Sequence, residues 1–382
     1  MRQREEFQLY LYRLVHGEEP GILASILLGL LHVFSIVYGW AVLFKLALYE
    51  RGFLKQHKLP CHVISLGNIT VGGTGKTPTA QRLATIIRDA GYRVVILNRG
   101  YRAGWRGEIG LVSDGRKIYM SASEAGDEAY LLAKSLPGVS VVIGPNRIVT
   151  GEYAVSELKA DVIILDDGFQ HWQLARDLDI VLIDSLNRFG NQFMLPRGTL
   201  REPLANLARA HVFLMTKVDQ ATLEARDVIH STLSQHNNKA LVVESIHKPR
   251  CFIEIEEWYK GTGIREVPLE SIQGQKVLAF SAIGNPSSFE QTILDIGINE
   301  VCGVRYADHH DYTMAEMQYI MQKAVDEEAY ALITTEKDAV KIPAEFIHSD
   351  RPLPVYVLSM SIYFTEGYED LLDLIRKVEK KL

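Results

Sequence analysis

The chain has 382 residues, of which 47% are hydrophobic and 23% charged, with a formal net charge of −6. This is globular composition with room for two domains, and the acidic balance argues against a general nucleic-acid binder. Cys61, Cys251 and Cys302 stand far apart and form no C-x-x-C pair, which suits a reducing compartment and gives no metal framework.

The first element in chain order is residues 21–44, "GILASILLGLLHVFSIVYGWAVLF", which contain no Asp, Glu, Lys or Arg. As a helix this stretch reaches roughly 36 Å, against a bilayer core of about 30 Å. Its length and the preceding Glu18 and Glu19 argue against a secretory signal. Tyr38 and Trp40, followed by Lys45, Arg51, Lys55 and Lys58, resemble an interface anchor with basic residues on the cytoplasmic side. Arg2, Arg4 and Arg13 on the other flank weaken that orientation signal. The segment spans the membrane or dips into one leaflet; the bland alternative is a buried core helix.

Next, "CHVISLG" predicts a strand and 77–90 a helix, and between them lies "NITVGGTGKTP". Small residues let successive backbone N–H groups converge on phosphate oxygens, a Lys reaches the β/γ-phosphates and a hydroxyl serves Mg²⁺. Residues Thr70, Val71, Gly72, Gly73, Thr74, Gly75, Lys76 and Thr77 form such a phosphate-binding loop, with the positive end of the helix behind it. Thr70 stands where the strict pattern has Gly. The loop specifies a nucleoside triphosphate, not the reaction.

The strand "YRVVILNRG" leads into a basic loop with Arg99, Arg102 and Arg106. In "GDEAYLLAKSL", Asp127 and Glu128 open a helix. Acidic residues are favoured there for their own sake; alternatively Asp127 faces the phosphates as a general base. The strand "VSVVIG" and the helix "NRIVTGEYAVSEL" follow. The apolar strand "VIILDDGFQHW" then ends in Asp166 and Asp167, both placed to hold Mg²⁺ or its water shell, with His171 close behind. The strands "LDIVLID" and "AHVFLMTK" flank "LPRGTLREP", which supplies Arg197 and Arg201 as guanidinium forks for a second anionic ligand. "TKVD", 216–219, imitates a guanine-reading motif, but four residues at a strand end arise easily by chance.

Apolar strands alternating with helices predict a parallel sheet covered on both faces, with ligands at the carboxyl ends of the strands. Beyond about residue 220 the texture changes. "ALVVESIHKPRCFIEI" resembles paired strands, and further strands follow in "KVLAFS", "YALITT" and "LPVYVLSMSI". "ADHHDYT", 307–313, brings Asp308, His309, His310 and Asp311 together, but strand neighbours point to opposite faces. A His–carboxylate pair across a cleft is favoured over zinc. "GYEDLLDLIRKVEKKL" is an amphipathic helix. The expected organisation is a membrane-associated segment at 1–47, a phosphate-loop nucleotide-binding α/β domain at 48–220, a smaller α/β domain at 221–362, and a helix at 363–382 docking on the first domain.

"GNITVGGTGKTP", "NRGY", "GDE", "DDGFQH", "LREP", "DHHDYT" and "TTEKDAVK" occur in this order behind an apolar N-terminal helix. As an ordered set running over essentially the whole chain, they resemble the tetraacyldisaccharide 4′-kinase family of the lipid A pathway. The resemblance implies a P-loop NTPase-type fold and transfer of the γ-phosphate of ATP, with Mg²⁺, to the 4′-hydroxyl of a tetraacyldisaccharide 1-phosphate, giving lipid IVA. It implies that Asp127 is the catalytic base paired with His309, that Lys76 and Thr77 hold phosphates and metal, and that Glu128, Asp166, Asp167 and His171 lie in the site. Metal binding is accordingly assigned to Thr77, Glu128, Asp166 and Asp167, and substrate contact to Asn68, Arg99, His171 and Arg201. Closure of the second domain, carrying His309, is expected to assemble the site. The implied location is the inner membrane with the catalytic domains on the cytoplasmic side, the partners being lipid and membrane, with no nucleic acid and no obligate protein partner. The rivals are a membrane-associated phosphate-loop ATPase, disfavoured by Val71 where such enzymes carry an early Lys, a GTPase suggested by "TKVD", and a nucleotide-binding scaffold without lipid kinase activity.

Overall fold

The computed structural model describes residues 14–15, 21–261 and 265–379. Arg2, Arg4, Arg13, Glu18 and Glu19, which entered the orientation argument, lie outside the described residues.

The strands are β1 (His62–Asn68), β2 (Val94–Asn98), β3 (Gly110–Ser113), β4 (Ser140–Ile143), β5 (Val162–Asp166), β6 (Leu178–Asp184), β7 (Val212–Thr216), β8 (Leu241–Glu254), β9 (Glu266–Val267), β10 (Lys276–Ser281), β11 (Glu300–Arg305), β12 (Ala331–Thr335) and β13 (Val355–Glu366). They form one sheet in the order β11-β10-β12-β13-β8-β7-β6-β1-β5-β2-β4-β3, with β9 against β8. The central strands β1, β2, β5, β6 and β7 pair in parallel and are buried along their whole length, so they carry continuous apolar runs.

One expectation is corrected. The stretch 241–254 is a single strand of 14 residues, not a pair. Its Lys248–Pro249 signal, which suggests a turn, lies at a register shift where β13 pairs Ser359 with Cys251 and Met360 with Pro249. A bulge tolerates a residue that cannot donate to the ladder. Because β8 runs parallel to β7 and antiparallel to β13, these strands join both halves of the chain into one sheet.

The two halves keep separate cores. Leu83, Ile87, Ile96, Leu132, Ile164 and Val243 belong to one, and Leu371 and Ile375 of the C-terminal helix are buried in it. Phe280, Leu278, Ile320, Leu332 and Val357 belong to another. Helix Asp127–Ser135 contributes Ala129 and Leu132 to the first core and Leu131 to the second, which fixes its N-terminus at the seam.

Helix Ile22–Glu50 is long and apolar enough to cross a membrane by length and composition. Ile22, Leu23, Val33, Phe34, Val37, Trp40 and Phe44 face outward, while Ser35 and Gly39 are buried against the protein.

Candidate active site

The loop after β1 sits at the carboxyl ends of the central strands. Gly75 caps helix Lys76–Asp89 in the left-handed region at φ 84°, and a Cβ there would lie 2.6 Å from Cε1 of His247, so both backbone and space demand glycine. Lys76 points back over the loop. Its Nζ donates to Asn68 Oδ1 at 3.3 Å and lies 3.6 Å from Asp167 Oδ1. Asn68, expected at the substrate, is therefore engaged in orienting Lys76. Thr77 follows in the first turn of the helix.

The two aspartates after β5 part company. Asp166, 2% exposed, accepts a hydrogen bond from Asn98 Nδ2 at 2.6 Å, and its Oδ1 is buried without a partner. Burial pushes its carboxyl up to about 6, helped by the negative charges of Glu128 and Asp167. Asp167 turns away at φ 54°, and both its oxygens accept from Arg201 Nη1, at 2.8 and 2.7 Å. Burial would raise Asp167, but Lys76 and Arg201 outweigh it and hold the carboxyl below its ordinary range.

Asp127 and His309 meet across the seam, His309 Nδ1 lying 3.2 Å from Asp127 Oδ2. Lys337 Nζ stands 3.5 Å from His309 Nε2. Asp308 Oδ2 lies 3.9 Å from the same Nε2, and an Nδ1–H facing the Asp127 carboxylate donates to it. Lys341, buried beside Asp338, lies 3.9 Å from the same Asp127 oxygen. Burial raises the Asp127 carboxyl, but the His309 hydrogen bond and the Lys341, His309 and Lys337 charges together bring it below its ordinary range. His309 holds a left-handed backbone at φ 65°. The two residues expected to meet across the halves are thus in contact here. His310 turns the other way, onto Glu316 at 3.1 Å and in a stack with Tyr306, because the left-handed turn at His309 separates the two rings.

Five residues after Asp166, His171 is pushed down to about 4 by burial and then by Arg147 and Arg176, so it is neutral, and its Nε2 has no partner. Arg99 is exposed, and its charge reaches both Arg147 and His171. Arg197 lies over the Phe193 ring. Arg147, Lys337 and Lys341 escaped the sequence reading. Arg147, 5% exposed at the start of helix Arg147–Ser156, is pushed down to about 10 by burial and by Arg99, while Asp166 and Asp167 pull it up. Arg147 follows β4, and Lys337 and Lys341 follow β12, so a basic residue just past a strand end was the available signal.

The apolar N-terminal helix reaches the site from behind. Val71 N–H donates to Thr199 O at 2.8 Å, and Arg201 N–H to Ile69 O at 2.8 Å, so segment 199–201 is stitched to the phosphate loop. Ser35 Oγ donates to Met194 O at 2.8 Å, and Tyr38 O–H to Arg201 O at 3.1 Å. Lys45 lies over the ring of Trp172, next to His171. Tyr38→Phe removes one of these bonds without changing packing. It is expected to lower the melting temperature by about 1–2 °C, since one hydrogen bond is worth roughly 1 kcal/mol. Thermal denaturation checks this.

Among the described residues no group of three or more His, Cys, Asp or Glu side chains is placed to hold a metal ion. What the site offers is a phosphate cradle, an orphaned buried carboxylate oxygen, and an ionised carboxylate oriented by a histidine. That arrangement can position a nucleotide and deprotonate a hydroxyl.

A family model described as tetraacyldisaccharide-1-P 4′-kinase matches residues 27–378. A tetraacyldisaccharide 4′-kinase of Halothermothrix orenii is 38% identical over 385 residues, covering 98% of each chain. One from Anaeromyxobacter sp. (strain Fw109-5) is 43% identical over 297 residues, covering 78% of this chain and 77% of that one. Among solved structures, LpxK from Aquifex aeolicus in complex with ATP aligns with a TM-score of 0.73 and 32% identity, over 92% of this chain and 99% of that one.

Proposed function

The chain belongs to the tetraacyldisaccharide-1-phosphate 4′-kinase family, and from that premise we propose how its residues carry out the reaction. The protein is an ATP-dependent kinase that moves the γ-phosphate to the 4′-hydroxyl of tetraacyldisaccharide 1-phosphate. The observation that carries the residue assignment is the Asp127–His309 pair at the seam beside the phosphate loop.

Loop residues 70–77 hold the β- and γ-phosphates. Lys76, kept over the loop by Asn68 and Asp167, neutralises charge on the transferring group. Asp127, its Oδ2 held by His309, accepts the 4′-hydroxyl proton on its other oxygen as the sugar oxygen bonds to the γ-phosphorus and the bond to ADP breaks. Lys337 and Asp308, both beside Nε2, hold the His309 ring with Nδ1 turned to Asp127. Arg99 and Arg147, whose charges both reach neutral His171, form with it the group that meets the substrate's existing 1-phosphate.

Mg²⁺ fits the residues present, because Asp166 Oδ1 is buried without a partner. Asp166, Glu128 and the Thr77 hydroxyl would hold it together with the nucleotide's phosphates, as suits an ion that keeps few protein ligands. When bound it supplies charge neutralisation at the β- and γ-oxygens. Asp167, already paired with Arg201 and Lys76, orients those cations instead.

We place the protein at the cytoplasmic face of the inner membrane, with helix Ile22–Glu50 lying in one leaflet. The support is that its middle is tied to the catalytic body by Ser35 and Tyr38, while the opposite face is a continuous apolar surface.

The test is transfer from γ-labelled ATP to the disaccharide 1-phosphate in detergent. Wild type labels the lipid, and Lys76→Ala loses at least about 10²-fold of the rate. ATP binding with no labelled lipid in wild type would remove the reading.

A further inference from the structure

The "TKVD" at 216–219 takes no part in the transfer step. The structure does not leave it idle. Thr216 Oγ1 donates to the carbonyl of Thr74, at 3.1 Å, and Lys217 Nζ reaches the carbonyl of Gly73, at 3.4 Å. Two consecutive residues at the end of β7 thus grip two consecutive carbonyls of the phosphate loop. Lys217 does so from a left-handed backbone at φ 57°, with its ammonium also paired to Asp184 at 2.7 Å. Held at both ends, its alkyl chain is stretched beside the loop as an apolar rail.

The sheet order says what lies along that rail. The phosphate loop follows β1, with β5 and β2 on one side and β6 and β7 on the other. The first side carries Asn98, Asp166 and Asp167 together with the Asp127–His309 pair, so it is where the acceptor hydroxyl must come. A nucleotide whose γ-phosphate faces that side runs its sugar and base out over β6 and β7. There, two residues past Lys217, Asp219 is exposed and its carboxylate has no hydrogen bond or ion pair with any described residue. A carboxylate is an acceptor only, so it suits a ring that presents N–H groups at its edge.

We propose that Lys217 and Asp219 form the nucleobase seat of the phosphate donor, with the Lys217 alkyl chain against the ring face and Asp219 accepting from a purine N–H. This rests on the nucleotide reading of the phosphate loop. Adenine offers Asp219 one donor, its exocyclic amine. Guanine offers two, N1–H and the 2-amino group, so the seat takes both purines and holds guanine with the additional bond. The motif therefore works as a base reader inside an ATP-using enzyme.

The experiment is calorimetric titration of full-length protein in detergent with the Mg²⁺ salts of ATP, GTP and xanthosine triphosphate, without lipid. Wild type, Asp219→Ala, Asp219→Asn and the neighbouring exposed control Gln220→Ala are compared. Asp219→Ala is expected to weaken GTP at least about 10-fold and ATP several-fold, with Gln220→Ala unchanged. Asp219→Asn is expected to gain at least about 10-fold for xanthosine triphosphate, because an amide donates to the 2-oxo group where a carboxylate repels it. That gain cannot come from damage to the fold. Equal affinities of wild type and Asp219→Ala for ATP and GTP, or no gain for xanthosine triphosphate, would overturn the seat. A wild type that binds nucleotide with this pattern yet labels no lipid would instead count against the transfer mechanism and leave the seat standing.

Discussion

Asp127→Ala lowers phosphate transfer to the lipid by roughly 10²–10⁴-fold, the range for removing a positioned general base, while ATP still binds. The carboxylate stands at the N-terminus of a helix anchored in both cores, so it cannot drift from the loop when the halves shift. His309 acts on it from the other half. His309→Ala is expected to cost less, on the order of 10–10²-fold, because the base remains and only its orientation and charge support go. Its signature is in the pH profile. In wild type Asp127 stays ionised well into acid, because its partners outweigh its burial. Without His309 the burial effect gains weight, the carboxyl rises, and the acid limb of the transfer rate moves toward neutral pH. The sign for stability follows. A carboxylate held below its unfolded value contributes stability above that value and loses it as pH falls through the folded one. The Asp127 pair therefore stabilises the fold at neutral pH and weakens it only in strong acid. A pH–rate profile of both variants, in detergent with saturating ATP, checks the assignment. An unchanged acid limb in His309→Ala would show that the histidine does not support the base.

The parts of this site that could be read from the chain are those written in contiguous residues. The loop 70–77 carries its own chemistry in its glycines and its Lys–Thr pair. The parallel core was visible because strands buried on both faces carry unbroken apolar runs, as in β2 and β5. What could not be read is pairing at a distance. Pro249 suggests a turn unless β13 is known to lie opposite with a compensating bulge. Arg147 resembles an ordinary helix-start residue until burial puts its charge beside Asp166 and Asp167. Lys337 and Lys341, four apart, matter only because the seam brings Asp127 and His309 between them. "TKVD" could be dismissed as chance because nothing local says that Thr74 and Gly73 lie next to it. In each case the missing information is which strand ends become neighbours.

Asp166→Asn separates stability from function more sharply than any other change at the site. Asp166 is held almost entirely away from water, and its carboxyl is pushed up to about 6 by burial first and by Glu128 and Asp167 next. A group whose folded value is raised contributes stability that is present at low pH and lost as pH rises through the folded value. Above about pH 6 the ionised carboxylate is therefore a cost to the metal-free fold, roughly 1–3 kcal/mol. The amide removes that cost and still accepts from Asn98. Metal-free Asp166→Asn is expected to melt a few degrees higher than wild type at pH 7.5, with the difference shrinking below about pH 6 and vanishing only once the unfolded carboxyl is protonated too, below about pH 4. Its transfer rate falls at least about 10²-fold, because the orphaned oxygen that would meet the cation is gone. Wild type gives the complementary result. Mg²⁺ added with nucleotide raises its melting temperature more at pH 7.5 than at pH 5.5, since at the lower pH a proton competes for the same oxygen. In Asp166→Asn that pH dependence disappears. Differential scanning calorimetry at the two pH values, with and without Mg²⁺ and nucleotide, reads all of these at once. A variant that melts lower than wild type without metal would mean that Asp166 is a structural partner of Asn98 and not a strained carboxylate kept for a cation.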